Sequence, residues 1–287
     1  MSVLAQESGL TIAKLTPTIG AEATGVDLTR PVDERTRKRL YDALVENIAL
    51  VIRDQHFTPA QYLAAVELFG EAMEDQDKRF RLPEVPKVRA VDSLHKDSTG
   101  KRFKVGARWH SDHTNQLRPP KFTALYGVEL PETGGATNIA NMRAAYEALP
   151  ADMKARVRDM RTVNLYVSSG VKNPNPDRLA AQLEEKPEAV EQPLVRTNPD
   201  NSAKALYFHP SKVENIVGMT PADSQAFLDD LLARAIKPEF IYAHKWRKGD
   251  MLIWDNRQAM HKAGFDYDAV KQRRLLYRAM VRGERPV

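Results

Sequence analysis

Short apolar runs separated by turn residues are the main pattern of hydrophobic and polar positions along the chain. Gly-Asp and Asn-Pro-Asp turns interrupt several of these runs. Many short strands with such turns are typical of a jelly roll or a barrel. The pattern therefore predicts a mainly β protein with flanking helices. The predicted strands are residues 10–15, 21–28, 49–53, 88–91, 122–130, 136–140, 206–208, 240–246, 251–254 and 275–281, with a further short one at Val195.

Helical periodicity is confined to a few stretches between these strands. Thr58 and Pro59 have the residue types that cap and begin a helix, and Gly70 ends it. Asn141 can cap a pair of helices in the same way. We expect helices over residues 33–47, 59–69, 144–160 (a pair) and 221–235.

Two segments lack regular periodicity. Residues 73–106 are charged and irregular apart from the predicted strand at 88–91, and we interpret them as an active-site loop. Residues 168–192 are rich in Asn, Pro, Glu and Gln, which indicates a lid or an insertion loop. No linker or internal repeat divides the chain, so we expect a single domain over residues 1–287.

Composition narrows the classes of protein and of metal site. The 42% hydrophobic and 28% charged residues are ordinary for a globular protein. The absence of cysteine excludes disulfides, thiolate zinc sites and iron–sulfur clusters, and it fits a reducing cytoplasm. Residues 1–8 lack a signal-peptide pattern, and no apolar run approaches about 20 residues. We therefore expect neither secretion nor a membrane span.

A net charge of +5 raises the alternative of a nucleic-acid-binding protein. The basic residues are scattered rather than gathered in an arm or stripe, however. The densest cluster includes Lys271, Arg273, Arg274 and Arg278, and this placement favours an acidic small molecule in a pocket. We expect no nucleic acid as partner; salt-sensitive duplex binding would support that alternative.

Two imidazoles and a carboxylate form the candidate metal site. His110 and Asp112 stand two residues apart, so a strand or strand end would direct both side chains to one face. His261 is the candidate third ligand. Two histidines and one carboxylate are the facial triad of non-haem Fe(II) oxygenases, which leaves positions open for a chelating co-substrate and O₂. A lone His-x-Asp often arises by chance, and His113 is interpreted as a residue of the pocket wall.

Arginines alternate along the last predicted strand. Arg274 and Arg278 share one face with Leu276, and the intervening residues share the other. Arginines that face a barrel interior need anionic partners, and a carboxylate or sulfonate fits the planar guanidinium in a bidentate manner. The alternative is an exposed face of an edge strand.

These residues resemble the Fe(II)/2-oxoglutarate-dependent dioxygenases typified by taurine dioxygenase and the phenoxyacetate herbicide dioxygenase. The resemblance covers most of the chain. It is carried by several motifs in order: Gly-Ala-Glu at 20–22, Gly-Val-Asp-Leu at 25–28, Trp-His-Ser-Asp at 109–112, Gly-Gly-Ala-Thr at 134–137, Ala-Ala-Tyr-Glu-Ala-Leu-Pro at 144–150, Trp-Asp-Asn-Arg at 254–257, His261, and Arg-Arg at 273–274.

The resemblance implies a fold, a cofactor set and residue roles. The fold is a double-stranded β-helix, that is, a cupin-like jelly roll. Fe(II) is held by His110, Asp112 and His261, and 2-oxoglutarate chelates it. The distal carboxylate of 2-oxoglutarate meets Arg274 and the Thr137 hydroxyl. Related proteins form dimers or tetramers, so a homo-oligomer is expected. Relatives that halogenate lack the carboxylate ligand, so the presence of Asp112 argues for oxygen insertion or hydrogen abstraction.

Substrate residues follow less directly. Arg278 matches the position that grips the acidic group of the primary substrate. Residues 72–76 lack the histidines that help to hold taurine, and Gly106 replaces a polar residue, so taurine itself is not the expected substrate. Further candidates for lining a different pocket, each with ordinary core or surface as the alternative, are His113, Tyr166, Phe208 and His209.

The resemblance therefore implies hydroxylation of a small anionic substrate, such as a sulfonate, a sulfate ester or an aryloxy or alkyl carboxylate, with O₂ consumed and succinate and CO₂ released. If the hydroxylated carbon bears oxygen, nitrogen or sulfur, the product can collapse with cleavage. Desaturation or oxidative rearrangement at the same iron is an alternative that product mass would decide. A catalytically silent metal-binding barrel is another, which succinate production would exclude.

Overall fold

The computed structural model describes residues 9–287. The expectation about a signal peptide, drawn from residues 1–8, lies outside these residues. Within the described range, no helix is long and apolar enough to cross a bilayer.

The secondary structure is mostly short strands. The strands are β1 Thr11–Lys14, β2 Ala21–Thr24, β3 Ala49–Ile52, β4 Ala72–Met73, β5 Arg81–Leu82, β6 Val85–Asp92, β7 Phe122–Glu129, β8 Thr137–Asn141, β9 Arg161–Asn164, β10 Val190–Pro193, β11 Val195–Thr197, β12 Lys204–Leu206, β13 Val213–Ile216, β14 Ile241–His244, β15 Met251–Asp255, β16 Ala259–Ala263 and β17 Leu275–Val281. The α-helices are α1 Glu34–Asn47, α2 Pro59–Glu67, α3 Met142–Glu147, α4 Ala151–Val157, α5 Pro176–Glu185 and α6 Pro221–Ala235, and two short 3₁₀ turns span Lys78–Phe80 and Pro238–Phe240.

Two sheets form the centre of the protein. The large sheet has the order β1-β2-β3-β15-β7-β17-β6-β5, with β4 paired to β17, and the small sheet has the order β14-β8-β16. An apolar cluster with members on both sheets, among them Leu125, Trp254 and Leu276 from the large sheet and Ile139 and Ala259 from the small one, packs them face to face. This is the jelly-roll arrangement predicted from the pattern, and that prediction is confirmed.

Local signals account for most elements. The Asp33 side chain caps α1, Thr58 and Gln61 form a capping box at the start of α2, and Thr220 caps α6. The strand β3 is buried along its whole length because it lies between two neighbours inside the large sheet. The helix α6 has the predicted bounds.

The strand β2 is shorter than predicted. It ends at Thr24 because Gly25 has a φ of 74°, and a Cβ at that position would lie 2.4 Å from the carbonyl oxygen of Gly9. Only glycine tolerates this combination of backbone conformation and close approach. The apolar residues that follow it therefore belong to a turn rather than to the strand.

The segment 168–192, predicted to be an irregular lid, contains the helix α5 and the strand β10. The Asn175 side chain caps α5, Pro176 occupies its first turn, and Gln182 exchanges two hydrogen bonds with the backbone of Val167. No residue of α5 is fully buried. The Asn-Pro start was the signal that could have located the helix.

The segment 73–106 is likewise more regular than an active-site loop. It contains β4, β5 and β6, and β6 joins the large sheet through β17. The strand predicted at 88–91 lies within β6, where Arg89 faces inward and pairs with Asp75 and Asp77. The strands β4 and β5 were not predicted because each has only two residues, too few to show a period of two.

Candidate active site

The candidate metal residues are brought together by one pair of backbone hydrogen bonds. The His110 amide donates to the His261 carbonyl (3.1 Å), and the His261 amide donates to the His110 carbonyl (2.9 Å). This bridge extends the edge of β16 and sets the two imidazoles side by side, with centroids 4.1 Å apart. Asp112 follows two residues after the bridge. Potential ligand atoms of the three residues lie within 4.8 Å of one another.

The nitrogens that face the carboxylate are free to act as ligands. The Nδ1 of His110 donates to the Arg108 carbonyl (2.7 Å), so its Nε2 carries the lone pair and lies 3.8 Å from Asp112 Oδ1. The Nε2 of His261 lies 3.9 Å from Asp112 Oδ2. Burial lowers the pKa of His261 well below its usual range, and the neighbouring His110 lowers it further, so this ring is neutral. Two neutral imidazoles and a carboxylate that converge without hydrogen bonding fit a divalent iron.

A chain of hydrogen bonds orients the carboxylate. The Thr123 hydroxyl donates to Asp112 Oδ2 (2.7 Å), Asn256 Nδ2 donates to the Thr123 oxygen (2.8 Å), and Trp254 Nε1 donates to Asn256 Oδ1 (3.0 Å). The Trp254 ring also packs 4.4 Å from the His261 ring. Sequence reasoning assigned no role to Thr123 or Asn256, although Asn256 lies in the quoted 254–257 motif. Such partners fix the orientation of a metal ligand.

Arg274 is the second main feature of the site, and its side chain is buried. Its Nη2 donates to the Thr137 hydroxyl (3.1 Å), and its Nε donates to the Gly135 carbonyl (2.8 Å). Gly135 has a φ of 67°, and a Cβ there would lie 2.9 Å from Pro131 and 3.2 Å from the Arg274 side chain. Burial lowers the pKa of Arg274 to about 10, so it stays a cation. In the described chain no carboxylate pairs with it, which leaves a hydroxyl–guanidinium site open to an anion.

Arg278, unlike Arg274, contacts two carboxylates. Its Nη1 lies 2.8 Å from Asp75 Oδ2, and its Nη2 lies 2.8 Å from Asp112 Oδ1. His113 Nε2 lies 3.4 Å from the same Nη2. Burial alone would raise the pKa of Asp75, but the positive charges of Arg278 and then of Arg89 hold this pKa well below its usual range. Arg278 is thus tied to the metal site, and its predicted role toward the substrate stays a prediction.

These groups line one cavity of about 240 Å³. Of the predicted pocket residues, His113, Tyr166 and His209 line it together with the metal triad, Thr137, Arg274 and Arg278. Phe208 does not: it is buried in a separate apolar cluster with residues of α3 and α6, so that prediction is corrected. Charged lining residues that sequence reasoning missed are Asp75, Asp77, Arg89, Lys104, Arg108, Arg178 and Lys212.

Comparisons with known proteins agree with this site. The chain is 33% identical to an alkylsulfatase of Acinetobacter baylyi, over 96% of this chain and 86% of that protein. It is 32% identical to an (S)-phenoxypropionate/alpha-ketoglutarate-dioxygenase of Sphingobium herbicidovorans, over 95% of both chains. A taurine dioxygenase structure from Burkholderia xenovorans superposes with a TM-score of 0.79 at 33% identity, over 97% of this chain and 91% of that one. With the family model matching residues 11–280 as well, the resemblance is confirmed: the chain belongs to the taurine catabolism dioxygenase TauD, TfdA family.

Proposed function

We propose that this protein, an Fe(II)- and 2-oxoglutarate-dependent dioxygenase, hydroxylates a small anionic organic substrate. One observation carries the proposal. A two-histidine, one-carboxylate cluster and a buried arginine without a carboxylate partner line the same cavity. The first fits iron, and the second fits the far end of a dicarboxylate co-substrate.

The proposed iron ligands are His110, Asp112 and His261. When bound, iron with 2-oxoglutarate supplies an oxidation by O₂ in which one oxygen atom enters succinate, with loss of CO₂, and the other enters the substrate. The residues of this chain contribute the arrangement. Thr123 holds the Asp112 carboxylate in one orientation, and the Trp254 ring packs against the His261 ring. This arrangement keeps the reacting groups fixed relative to one another.

For 2-oxoglutarate we propose Arg274 and Thr137 as the partners of the distal carboxylate. The guanidinium already holds the Thr137 hydroxyl and the Gly135 carbonyl, so its three remaining N–H groups are oriented by two contacts before the co-substrate arrives. A guanidinium oriented in this way loses little freedom on binding.

The charge of the cavity supports an anionic primary substrate. Seven of its lining residues are lysine or arginine and three are aspartate. The alkylsulfatase and the phenoxypropionate dioxygenase named above suggest sulfate esters and aryloxy carboxylates as the compounds to examine first. The small cavity favours a compact molecule.

Hydroxylation at the carbon that bears an ester or ether oxygen would give a product that collapses with cleavage of that C–O bond. Desaturation or rearrangement of a small carboxylate is the second candidate, and the mass of the product separates the two. A cytoplasmic location and a dimer or tetramer stay predictions.

The test is an anaerobic titration of metal-free protein with Fe(II) and 2-oxoglutarate, followed by aerobic assays of succinate. We expect tight 2-oxoglutarate binding that weakens in Arg274→Ala, and metal binding that is lost in Asp112→Ala. Sulfate esters or aryloxy acids should raise succinate release. A well-folded protein that forms no succinate from 2-oxoglutarate with Fe(II) would contradict the proposed function.

A further inference from the structure

Lys212 and Arg178 are cations that line the cavity without a carboxylate partner. Lys212 is 7% exposed, and Arg178 on α5 is partly buried with its Nε unpaired. In residues 9–287, no carboxylate lies within ion-pair distance of either side chain, whereas Arg89 and Arg278 in the same cavity each contact two aspartates. Three further lining cations also lack such a partner: Arg274 is assigned above to 2-oxoglutarate, and Lys104 and Arg108 are exposed. Within the described residues, Lys212 and Arg178 are therefore the buried or partly buried cations that are left for a second anion.

The ammonium of Lys212 has free donors. It donates to the Tyr166 carbonyl (2.9 Å) and lies 4.5 Å from the centroid of the Tyr166 ring. An ammonium has three N–H groups, so two remain for a ligand. Burial, followed by the like charge of Arg178, holds the pKa of Lys212 well below its usual range. An anion between the two side chains would oppose both effects.

The position of this pair relative to the metal site is defined by a tight turn. The Lys212 amide donates to the His209 carbonyl (2.8 Å), and the His209 ring lies 5.0 Å from the His110 ring. Lys212 is thus one turn from a residue that packs on a proposed iron ligand. Arg274, the proposed partner of 2-oxoglutarate, directly precedes β17, an element separate from α5 and from this turn.

We propose that Lys212 and Arg178 bind the sulfate or carboxylate group of the primary substrate, in place of the Arg278 predicted from the sequence. The inference rests on the proposed function and deepens it. A compact ammonium and a planar guanidinium together suit a tetrahedral or planar oxyanion. The segment 168–192 contributes Arg178, which gives it a binding role.

The experiment measures binding rather than turnover. Protein loaded anaerobically with Fe(II) and 2-oxoglutarate is titrated by calorimetry with hexyl sulfate, with 2-phenoxypropionate and with hexan-1-ol, which lacks the charge. We expect at least one of the two anions to bind and the alcohol to bind far more weakly. The anion that binds identifies the group as sulfate or carboxylate. Failure of both anions to bind the loaded protein would overturn the subsite.

Lys212→Met keeps the length of the side chain and removes its charge. We expect it to weaken anion binding roughly tenfold to a hundredfold, because a hydrogen bond between charged groups is lost. The affinity for 2-oxoglutarate should stay unchanged. Arg178→Met, at a partly exposed position, should act in the same direction. Lys204→Met removes the same charge from an exposed position on β12 outside the cavity and should match the wild type.

The melting temperature separates a binding role from a structural one. Without ligand, Lys212→Met should melt at or above the wild-type temperature, because it removes an unpaired buried charge. Wild-type anion affinity in both Lys212→Met and Arg178→Met would overturn the proposal. A lower melting temperature with unchanged anion binding would do the same, by assigning the lysine to the fold. Succinate formation by the wild type tests the proposed function separately, so the two can fail independently.

Discussion

The Thr123 hydroxyl donates a 2.7 Å hydrogen bond to Oδ2 of Asp112, the carboxylate among the three proposed iron ligands. Thr123 is itself held by Asn256, so the carboxylate is oriented by residues of β7 and of the turn after β15. The geometry of the metal site therefore depends on side chains that do not contact the metal.

Removing this hydroxyl should weaken metal binding. We expect Thr123→Val to lower Fe(II) affinity roughly tenfold to a hundredfold, because the carboxylate loses the donor that orients it. Anaerobic calorimetry with Fe(II) measures the change. Thr162→Val is the matched control, since Thr162 is also buried but lies on β9 outside the cavity. Equal affinities in Thr123→Val and the wild type would show that the bond does not position Asp112.

Arg274 should determine the affinity for 2-oxoglutarate. Arg274→Met should weaken it by about a hundredfold, since a charge-assisted bond is lost, and Thr137→Val should weaken it by roughly tenfold. Arg274→Lys should not restore binding fully, because an ammonium cannot hold Thr137, Gly135 and a carboxylate in the planar geometry of a guanidinium. The affinities come from the same anaerobic titration. A methionine variant with wild-type affinity would move the co-substrate site elsewhere.

Metal should stabilise the fold through His261. At a free Fe(II) concentration of about a hundred times the dissociation constant, binding should add about 2.7 kcal/mol to the free energy of unfolding, and chelation should remove it. Anaerobic urea unfolding with and without metal measures the difference. His261→Ala should lose this increment. His56→Ala, at an exposed position, should keep it. An increment that survives in His261→Ala would exclude this residue as a ligand.

Acid should destabilise the protein in part through His95, which stacks on Phe80 with centroids 3.6 Å apart. Burial lowers the pKa of His95 from 6.5 to about 4. Between these values the unfolded chain binds a proton that the folded protein does not, so the contribution to stability is complete above pH 6.5 and is lost as the pH falls toward 4.

The substitution His95→Phe keeps a ring against Phe80 and removes the titration. Urea unfolding near pH 7 and near pH 5 should show that the variant loses less stability than the wild type on acidification. Because His95 is only half-buried, solvent screening reduces the expected difference to about 1 kcal/mol. Other buried histidines titrate in the same direction, so the variant should keep part of the pH dependence. An identical pH dependence in both proteins would show that His95 is not responsible.

Predictions from the sequence succeeded where a local rule applied. The start of the helix α2 was located by Thr58 and Pro59, and the face shared by Arg274 and Arg278 followed from the period of two along a strand. They failed where an element is very short or is not fully buried. The strands β4 and β5, with two residues each, were not predicted, and α5, in which no residue is fully buried, was predicted to be part of an irregular lid.

Phe208 and His209 show that the sequence does not predict which of two adjacent side chains faces the cavity. Both were predicted to line the pocket, yet Phe208 packs against residues of α3 and α6 while its neighbour lines the cavity. Adjacent residues in one extended stretch can face opposite sides, and a single sequence does not say which side is the cavity. The register of the surrounding strands decided this.

By itself, the sequence determined the residue types and local spacings of this protein: the His-x-Asp pair, the alternating arginines, the capped helices and the short strands of a jelly roll. The tertiary structure alone decided which of these groups meet. Thr123 reaches Asp112, Arg278 pairs with Asp75, and Lys212 and Arg178 line the same cavity. Contacts between residues distant in the chain depend on strand pairing and sheet packing, which local periodicity does not specify.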